Sequence, residues 1–183
     1  MLIDLDGGGI STSGIDSPVE FFDSNGDGVR ESSSWTGHHT GDAFLWMDLN
    51  GDDAVTPGEL FGSGMPLPNG TNATNGFSAL AIYDLPQYGG DGNGVINRDD
   101  EVWRSLRLWV DRNHDGGSKR KEISRPRKAG IIEFGLDRIF KNTFDGRGNS
   151  VMLAGNYKMK IKIQGVPFVG ERAMVDIAFI PIH

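Results

Sequence analysis

Asp48-Leu49-Asn50-Gly51-Asp52-Asp53-Ala54-Val55-Thr56-Pro57-Gly58-Glu59 is the stretch on which the reading of this chain turns. Side-chain oxygens stand at its positions 1, 3, 5, 9 and 12 (Asp48, Asn50, Asp52, Thr56, Glu59), and the Ala54 carbonyl falls at position 7. A calcium ion takes roughly six to eight oxygen ligands, and a loop of about twelve residues supplies them from these places, the last as a two-oxygen grip by Glu. Position 6 needs a sharp turn and favours glycine. Asp53 stands there instead, and Asp is one of the few residues that tolerate a positive φ. Val55 is at position 8, where paired loops of this kind meet through a short β-bridge.

Working outward, three more segments share the pattern. Asp111-Arg112-Asn113-His114-Asp115-Gly116-Gly117-Ser118-Lys119-Arg120-Lys121-Glu122 offers Asp111, Asn113, Asp115, the Gly117 carbonyl and Glu122. Lys119 at position 9 cannot ligate, so water has to fill that vertex. A third loop opens with Asp23, Asn25, Asp27 and the Val29 carbonyl, with Glu31 at position 9. Its position 12 is Ser34, a poor bidentate ligand. Glu31 is one candidate to compensate; Asp4 or Asp6, from Asp4-Leu5-Asp6-Gly7-Gly8-Gly9, is another. The fourth segment, Asp91-Gly92-Asn93-Gly94-Val95-Ile96-Asn97, places Asp91, Asn93, the Val95 carbonyl and Asp100 at positions 3, 5, 7 and 12. Gly89 falls at position 1, and Asp84 takes that place if Leu85 to Gly90 form an inserted bulge. One Asp-x-Asn-Gly-Asp tract makes an ordinary Asx-turn. Four in one chain, two of them ending in Glu, point to Ca2+ as the cofactor.

Charge agrees with this. Residues 1–97 carry one basic residue, Arg30, against 14 acidic ones, while residues 98–183 carry 17 basic and 11 acidic ones. So lopsided an acidic half repels itself unless cations bind it or the basic half docks on it. Cysteine is absent, which excludes disulfides and thiolate metal sites. No apolar run reaches membrane-spanning length, so membrane insertion is not expected. Met1-Leu2-Ile3-Asp4 turns acidic too soon for a signal peptide. The expected setting is a secreted or cell-surface protein of which this chain is one piece.

Helical spacing is confined to two short stretches. Asn75 to Tyr83 carries Phe77, Leu80 and Ala81 on one face; Asp99 to Leu106 carries Val102, Trp103 and Leu106. Beyond Gly130 the period becomes two: Tyr157, Met159, Ile161 and Ile163 alternate with Lys158, Lys160, Lys162 and Gln164, a half-buried strand with a basic outer face. Ile131 to Phe140 and Ala173 to Ile180 are its expected partners, after a turn at Asp145–Asn149. The expected fold is therefore α+β: calcium loops of EF-hand-like type with short helices, plus a small C-terminal antiparallel β-sheet. One domain spans 1–183, with loops in 1–130 and strands in 131–183.

The order of these motifs resembles that of a bacterial family of EF-hand-like calcium-binding modules in large exported proteins. The resembling stretches are Leu2-Ile3-Asp4-Leu5-Asp6-Gly7, Phe22-Asp23-Ser24-Asn25-Gly26-Asp27-Gly28, Asp42 to Asp48 running on to Glu59-Leu60-Phe61-Gly62, Asn75 to Leu80, Tyr83-Asp84 with Gly89 to Gly94, and Trp103 to Asp111 with Asn113 to Gly116. The resemblance implies calcium binding and export, with no defined molecular activity. A related processing module of repeats-in-toxin proteins is similar in its Asp-rich segments and cuts its own chain at an Asp-Pro bond. This sequence has no Asp-Pro dipeptide.

Three functions compete. The first is a structural or adhesive module folded by calcium. The second is a module for anionic polymer, cell-surface polysaccharide before nucleic acid, using the basic tract 119–128 (Lys119, Arg120, Lys121, Arg125, Arg127, Lys128) and the lysines at 158–162. The third, an enzyme, rests on His38-His39 beside Asp42. It is set aside because the chain holds no Gly-x-Ser-x-Gly, His-Glu-x-x-His or phosphate loop, so no catalytic residue is assigned. Beyond calcium, the expected partners are surface polysaccharide or the parent protein. Trp35, Trp46, Trp103 and Trp109 are expected in the core.

Overall fold

Asp42-Ala43-Phe44-Leu45-Trp46-Met47 is buried along its whole length, and this one strand explains the architecture. Successive side chains of a strand point to opposite faces. Ala43, Leu45 and Met47 enter a core with Ile3, Leu106, Leu108, Phe134, Tyr157 and Met174. Phe44 and Trp46 enter a second core with Leu2, Trp35, Trp109 and Val175. Both faces of the sheet are covered here, which takes an apolar run rather than an alternating one.

The structure is a computed structural model describing residues 1–22 and 29–182. Its strands are β1 (Leu2–Asp4), β2 (Val19–Phe22), β3 (Glu31–Ser33), β4 (Asp42–Met47), β5 (Val95–Asn97), β6 (Leu106–Trp109), β7 (Ile123–Ser124), β8 (Ile131–Phe144), β9 (Ser150–Ile163), β10 (Val166–Ala178) and β11 (Pro181–Ile182). Eight form one antiparallel sheet in the order β5-β8-β9-β10-β1-β4-β6-β7, and a smaller sheet runs β11-β3-β2. Among the described residues the single α-helix is α1 (Gly76–Ala81).

This overturns the expected α+β fold of EF-hand-like loops flanked by short helices. The C-terminal antiparallel sheet forms, but not as a separate closing layer. Met174 and Val175 of β10 pair with Ile3 and Leu2 of β1, and Leu2 pairs onward with Phe44 of β4. Residues 1–130 and the C-terminal strands thus share one sheet. The loops are entered from β4 and β6, and they leave through single turns of 3-10 helix at Pro57–Glu59 and Arg120–Glu122. The helix expected over 99–106 shrinks to the 3-10 turn Glu101–Arg104. Leu106 and Leu108 instead pair with Met47 and Leu45 in the sheet, so tertiary pairing overrides local spacing.

The other expected helix forms. Asn75 caps α1, its side chain accepting from the Ser78 N–H at 2.7 Å, and a 3-10 turn continues it through Ile82–Asp84. Phe77 and Leu80 are fully buried against the sheet, so cutting Phe77 to Ala costs about 3–5 kcal/mol. The basic-faced strand is β9, with Tyr157 and Met159 buried and the alternating lysines outside. β5 pairs with β8 only across residues 133–135, and no second strand flanks residues 136–144 of β8 among the described residues. Trp35, Trp46 and Trp109 are buried, and the half-buried Trp103 packs on Phe134 at 5.7 Å.

Candidate metal centre

Three of the acidic loops fold onto one hydrogen-bond scaffold. At position 1, Asp48 accepts from the N–H groups of Gly51 (2.6 Å) and Asp53 (3.3 Å). Asp111 accepts from Asp115 (3.2 Å) and Gly116 (2.9 Å). Asp84 accepts from Asn93 (3.2 Å) and Gly94 (3.0 Å). Position 7 donates its N–H to the side chain at position 5 in each: Ala54 to Asp52, Gly117 to Asp115, Val95 to Asn93. Position 9 donates to the acid at position 12: Thr56 to Glu59 (3.0 Å), Lys119 to Glu122 (3.1 Å), Asn97 to Asp100 (2.7 Å).

The backbone matches as well. Positions 4 and 6 have positive φ in all three: Gly51 and Asp53 (+81°, +58°), His114 and Gly116 (+59°, +66°), Gly92 and Gly94 (+72°, +84°). Asp53 therefore adopts the left-handed turn expected of it. Asp84 occupies position 1 because residues 85–90 form an insertion, holding the 3-10 turn Pro86–Tyr88.

The loops differ in how their acids end up. Asp84, Asp91 and Asp100 place one oxygen each within 4.8 Å of one another, the one such trio among the described residues. Asp84 and Asp100 are buried and Asp91 is exposed. Burial, then the charges of Asp91 and Asp84, push the Asp100 carboxyl above its ordinary pKa. Asp100 Oδ1 is sealed from solvent without a hydrogen-bond partner. An orphaned buried oxygen of this kind costs roughly 1–3 kcal/mol, more when charged. An oxygen-seeking cation fits this donor set: three carboxylates converge, and one oxygen has no protein donor.

In the 111–122 loop, Glu122 Oε1 is likewise buried and unpartnered. Lys119, the residue that cannot ligate, forms an ion pair with Asp115. Burial opposes it, but this pairing with the Gly117 and Asn113 bonds holds the Asp115 carboxyl below its usual range. Asp111 is buried and also accepts from the Trp35 indole N–H at 3.0 Å. In the 48–59 loop both Glu59 oxygens are occupied, Oε1 by the Leu49 N–H (2.8 Å) and Oε2 by Thr56 Oγ1 (2.7 Å). Asn50 and Asn113 each donate to the acid two residues on. The two loops touch at position 8, where the Val55 N–H donates to Ser118 Oγ at 2.9 Å. The β-bridge expected at Val55 is absent from the described residues, and this side-chain bond stands in its place.

Of the third loop, Asp23, Asn25 and Asp27 lie outside the described residues. Val29 is exposed and Glu31 opens β3. Ser34 is fully buried and gives its hydroxyl to Asn149. His38 stacks on His114 with ring centroids 3.8 Å apart and meets Ser17 Oγ at 2.7 Å. Asp42 accepts instead from the Ser11 N–H at 2.9 Å. No helix among the described residues is long and apolar enough to cross a membrane.

Fold and loops together define a mainly β domain whose strand ends carry a repeated acidic turn. The model of the SPM domain family matches residues 1–165, and the chain belongs to that family. It is also 33% identical over 159 residues to the iron-regulated protein FrpA of Neisseria meningitidis serogroup C. That match takes in 86% of this chain but 14% of FrpA, so the chain corresponds to a small part of its relative's length.

Proposed function

We propose that this domain binds calcium at its acidic loops and is folded and stabilised by it, as a structural or adhesive piece of a larger secreted or cell-surface bacterial protein. The observation that carries this reading is the unpartnered Asp100 Oδ1 inside a trio of carboxylates. Without a cation the three repel one another in a poorly solvated place, and with one the repulsion becomes attraction. Asp84, Asp91, Asn93, the Val95 carbonyl and Asp100 hold the ion in that loop. Extracellular modules bind calcium at about 10⁻⁴–10⁻³ M, so such a site fills outside the cell and empties inside it. No catalytic activity is assigned. The test is thermal melting in calcium, in magnesium and in chelator: calcium should raise the melting temperature most, and identical curves in all three would remove the proposal.

A second reading draws on a different surface. A cleft of about 790 Å³ is lined by Arg98, Arg104, Arg125, Arg127 and Lys160 against the acids Asp99 and Glu133, beside Trp103. Among the described residues, Arg104, Arg125, Arg127 and Lys160 form no ion pair. A cationic cleft on a chain of net charge −7 suits an anionic polymer such as surface polysaccharide, with Trp103 as an apolar wall. Salt-sensitive retention on heparin, abolished by R125E/R127E, is the expected result. Failure to bind at low salt rules it out.

A further inference from the structure

Of all the asparagines in the chain, only Asn69 and Asn72 have a Ser or Thr two residues on, in Asn69-Gly70-Thr71 and Asn72-Ala73-Thr74. Asn-x-Ser/Thr, with x other than Pro, is the acceptor pattern for N-linked glycans on surface loops. Both fall in one tight turn. Its stem is closed by the Gly64 N–H on the Ala73 carbonyl (2.8 Å) and the Ala73 N–H on the Met65 carbonyl (2.9 Å), with a bridge between Pro66 and Asn72. Met65 and Ala73 are buried and fix the stem to the core, while residues 68–72 are exposed.

The two patterns differ in what their threonines do. The Thr71 N–H (3.0 Å) and the Thr71 hydroxyl (2.8 Å) both donate to Asn69 Oδ1. The chain reverses between them at Gly70, with a φ of +80°. Two donors on the carbonyl oxygen stabilise negative charge there, so a proton leaves Nδ2 more readily. Asn69 Nδ2 itself forms no hydrogen bond among the described residues. An ordinary Asx-turn needs only the Thr71 N–H; the added hydroxyl bond and the open Nδ2 are what suit an acceptor. Thr74 is engaged elsewhere. Its hydroxyl meets Ser78 Oγ at 3.2 Å and accepts from Asn75 Nδ2 at 3.2 Å, beside the cap of α1. Asn72 thus has the sequence pattern without the activating bond.

We propose that Asn69 is an N-glycosylation acceptor and that Asn72 is not. The co-substrate is a sugar activated by a diphosphate at its anomeric carbon, carried on a nucleotide or on a lipid. Asn69 Nδ2 forms a C–N bond to that carbon. The bond from the carbon to the phosphate oxygen breaks, its electron pair leaves on the diphosphate, and the Nδ2 proton passes to a base of the transferase. The exposed tip presents Nδ2 without unfolding the stem. The site is independent of calcium binding.

Peptide mapping by mass spectrometry of the protein as its own bacterium produces it tests this. The expected result is a sugar on Asn69 and a bare Asn72. T71A should lose the sugar, and T71S and T74A should keep it, with folding of each followed by far-UV circular dichroism. A bare Asn69, a sugar on Asn72 instead, or T71A modified as fully as wild type overturns the proposal. Incubating unmodified chain with the soluble extract plus UDP-glucose, or with the membrane fraction, separates the donors. A mass gain in the first marks a nucleotide carrier and in the second a lipid carrier; no gain in either overturns the proposal.

Discussion

The loops at 84–100 and 111–122 share a backbone but not a charge state. Each anchors position 1 on N–H groups of its turn and position 12 on the N–H of position 9. In the first, three carboxylates converge, and among the described residues no cation is paired to them. In the second, Asp115 is already paired with Lys119. Loop shape is thus set by backbone donors and short-range turn chemistry, while the side chains at positions 3 and 9 decide how the acids are gathered and paired. The loop with the poorer sequence match, interrupted by an insertion, is the better gathered of the two.

The contrast can be broken most severely at Asp100. D100N should remove the calcium-dependent stabilisation of that loop, about 2–3 kcal/mol at a calcium concentration roughly a hundredfold above the dissociation constant. In melting curves that is a loss of roughly 5–10 °C of the calcium-induced shift. In chelator the same variant should melt no lower than wild type, because it removes repulsion.

The pH dependence comes next. Asp42 titrates near 6 in the folded chain against an ordinary value of 3.8. A raised carboxyl pKa means the folded state keeps its proton longer than the unfolded state. This contribution to metal-free stability is therefore whole below about pH 4 and lost as pH climbs through 6, on the order of 2 kcal/mol. The difference between wild type and D42N, melted in chelator from pH 4 to 7, isolates it.

Two smaller changes sharpen the comparison. Replacing Lys119 with Thr frees Asp115 and supplies a ligating oxygen at position 9. Titration calorimetry should show the 111–122 loop binding calcium roughly tenfold tighter, with the gain shrinking at high salt. S118A removes the contact between the 48–59 and 111–122 loops and should cost about 1 kcal/mol in urea unfolding.

Much of the site was legible in the sequence because it is local. The spacing located three loops, the positive φ of Asp53 and the insertion that brings Asp84 to position 1, but the β-bridge expected at Val55 does not form. The lysine-faced strand and the Asn75-capped helix were legible for the same reason. The sheet was not. Ala43 to Met47 is apolar on both faces, so it lacks the alternation that marks a strand, and its pairing with β1 and β6 joins residues far apart in sequence. Leu106 fits a helical stripe with Val102 and Trp103, yet its pairing with Met47 draws it into a strand.

The outer edge of β8 has a consequence for solubility. Beyond Leu136, whose N–H still donates to the Gly94 carbonyl, residues 137–144 have no second strand beside them among the described residues, with Ile139, Phe140 and Phe144 largely exposed, a template on which a foreign chain can add as an extra strand. Asp137, Arg138 and Lys141 lie along it, and irregularities between Phe134 and Arg138 and between Phe140 and Thr143 keep it from lying flat. Charges and kinks of this kind oppose edge-to-edge pairing, so neutralising Arg138 and Lys141 together should raise the turbidity of the preparation relative to wild type.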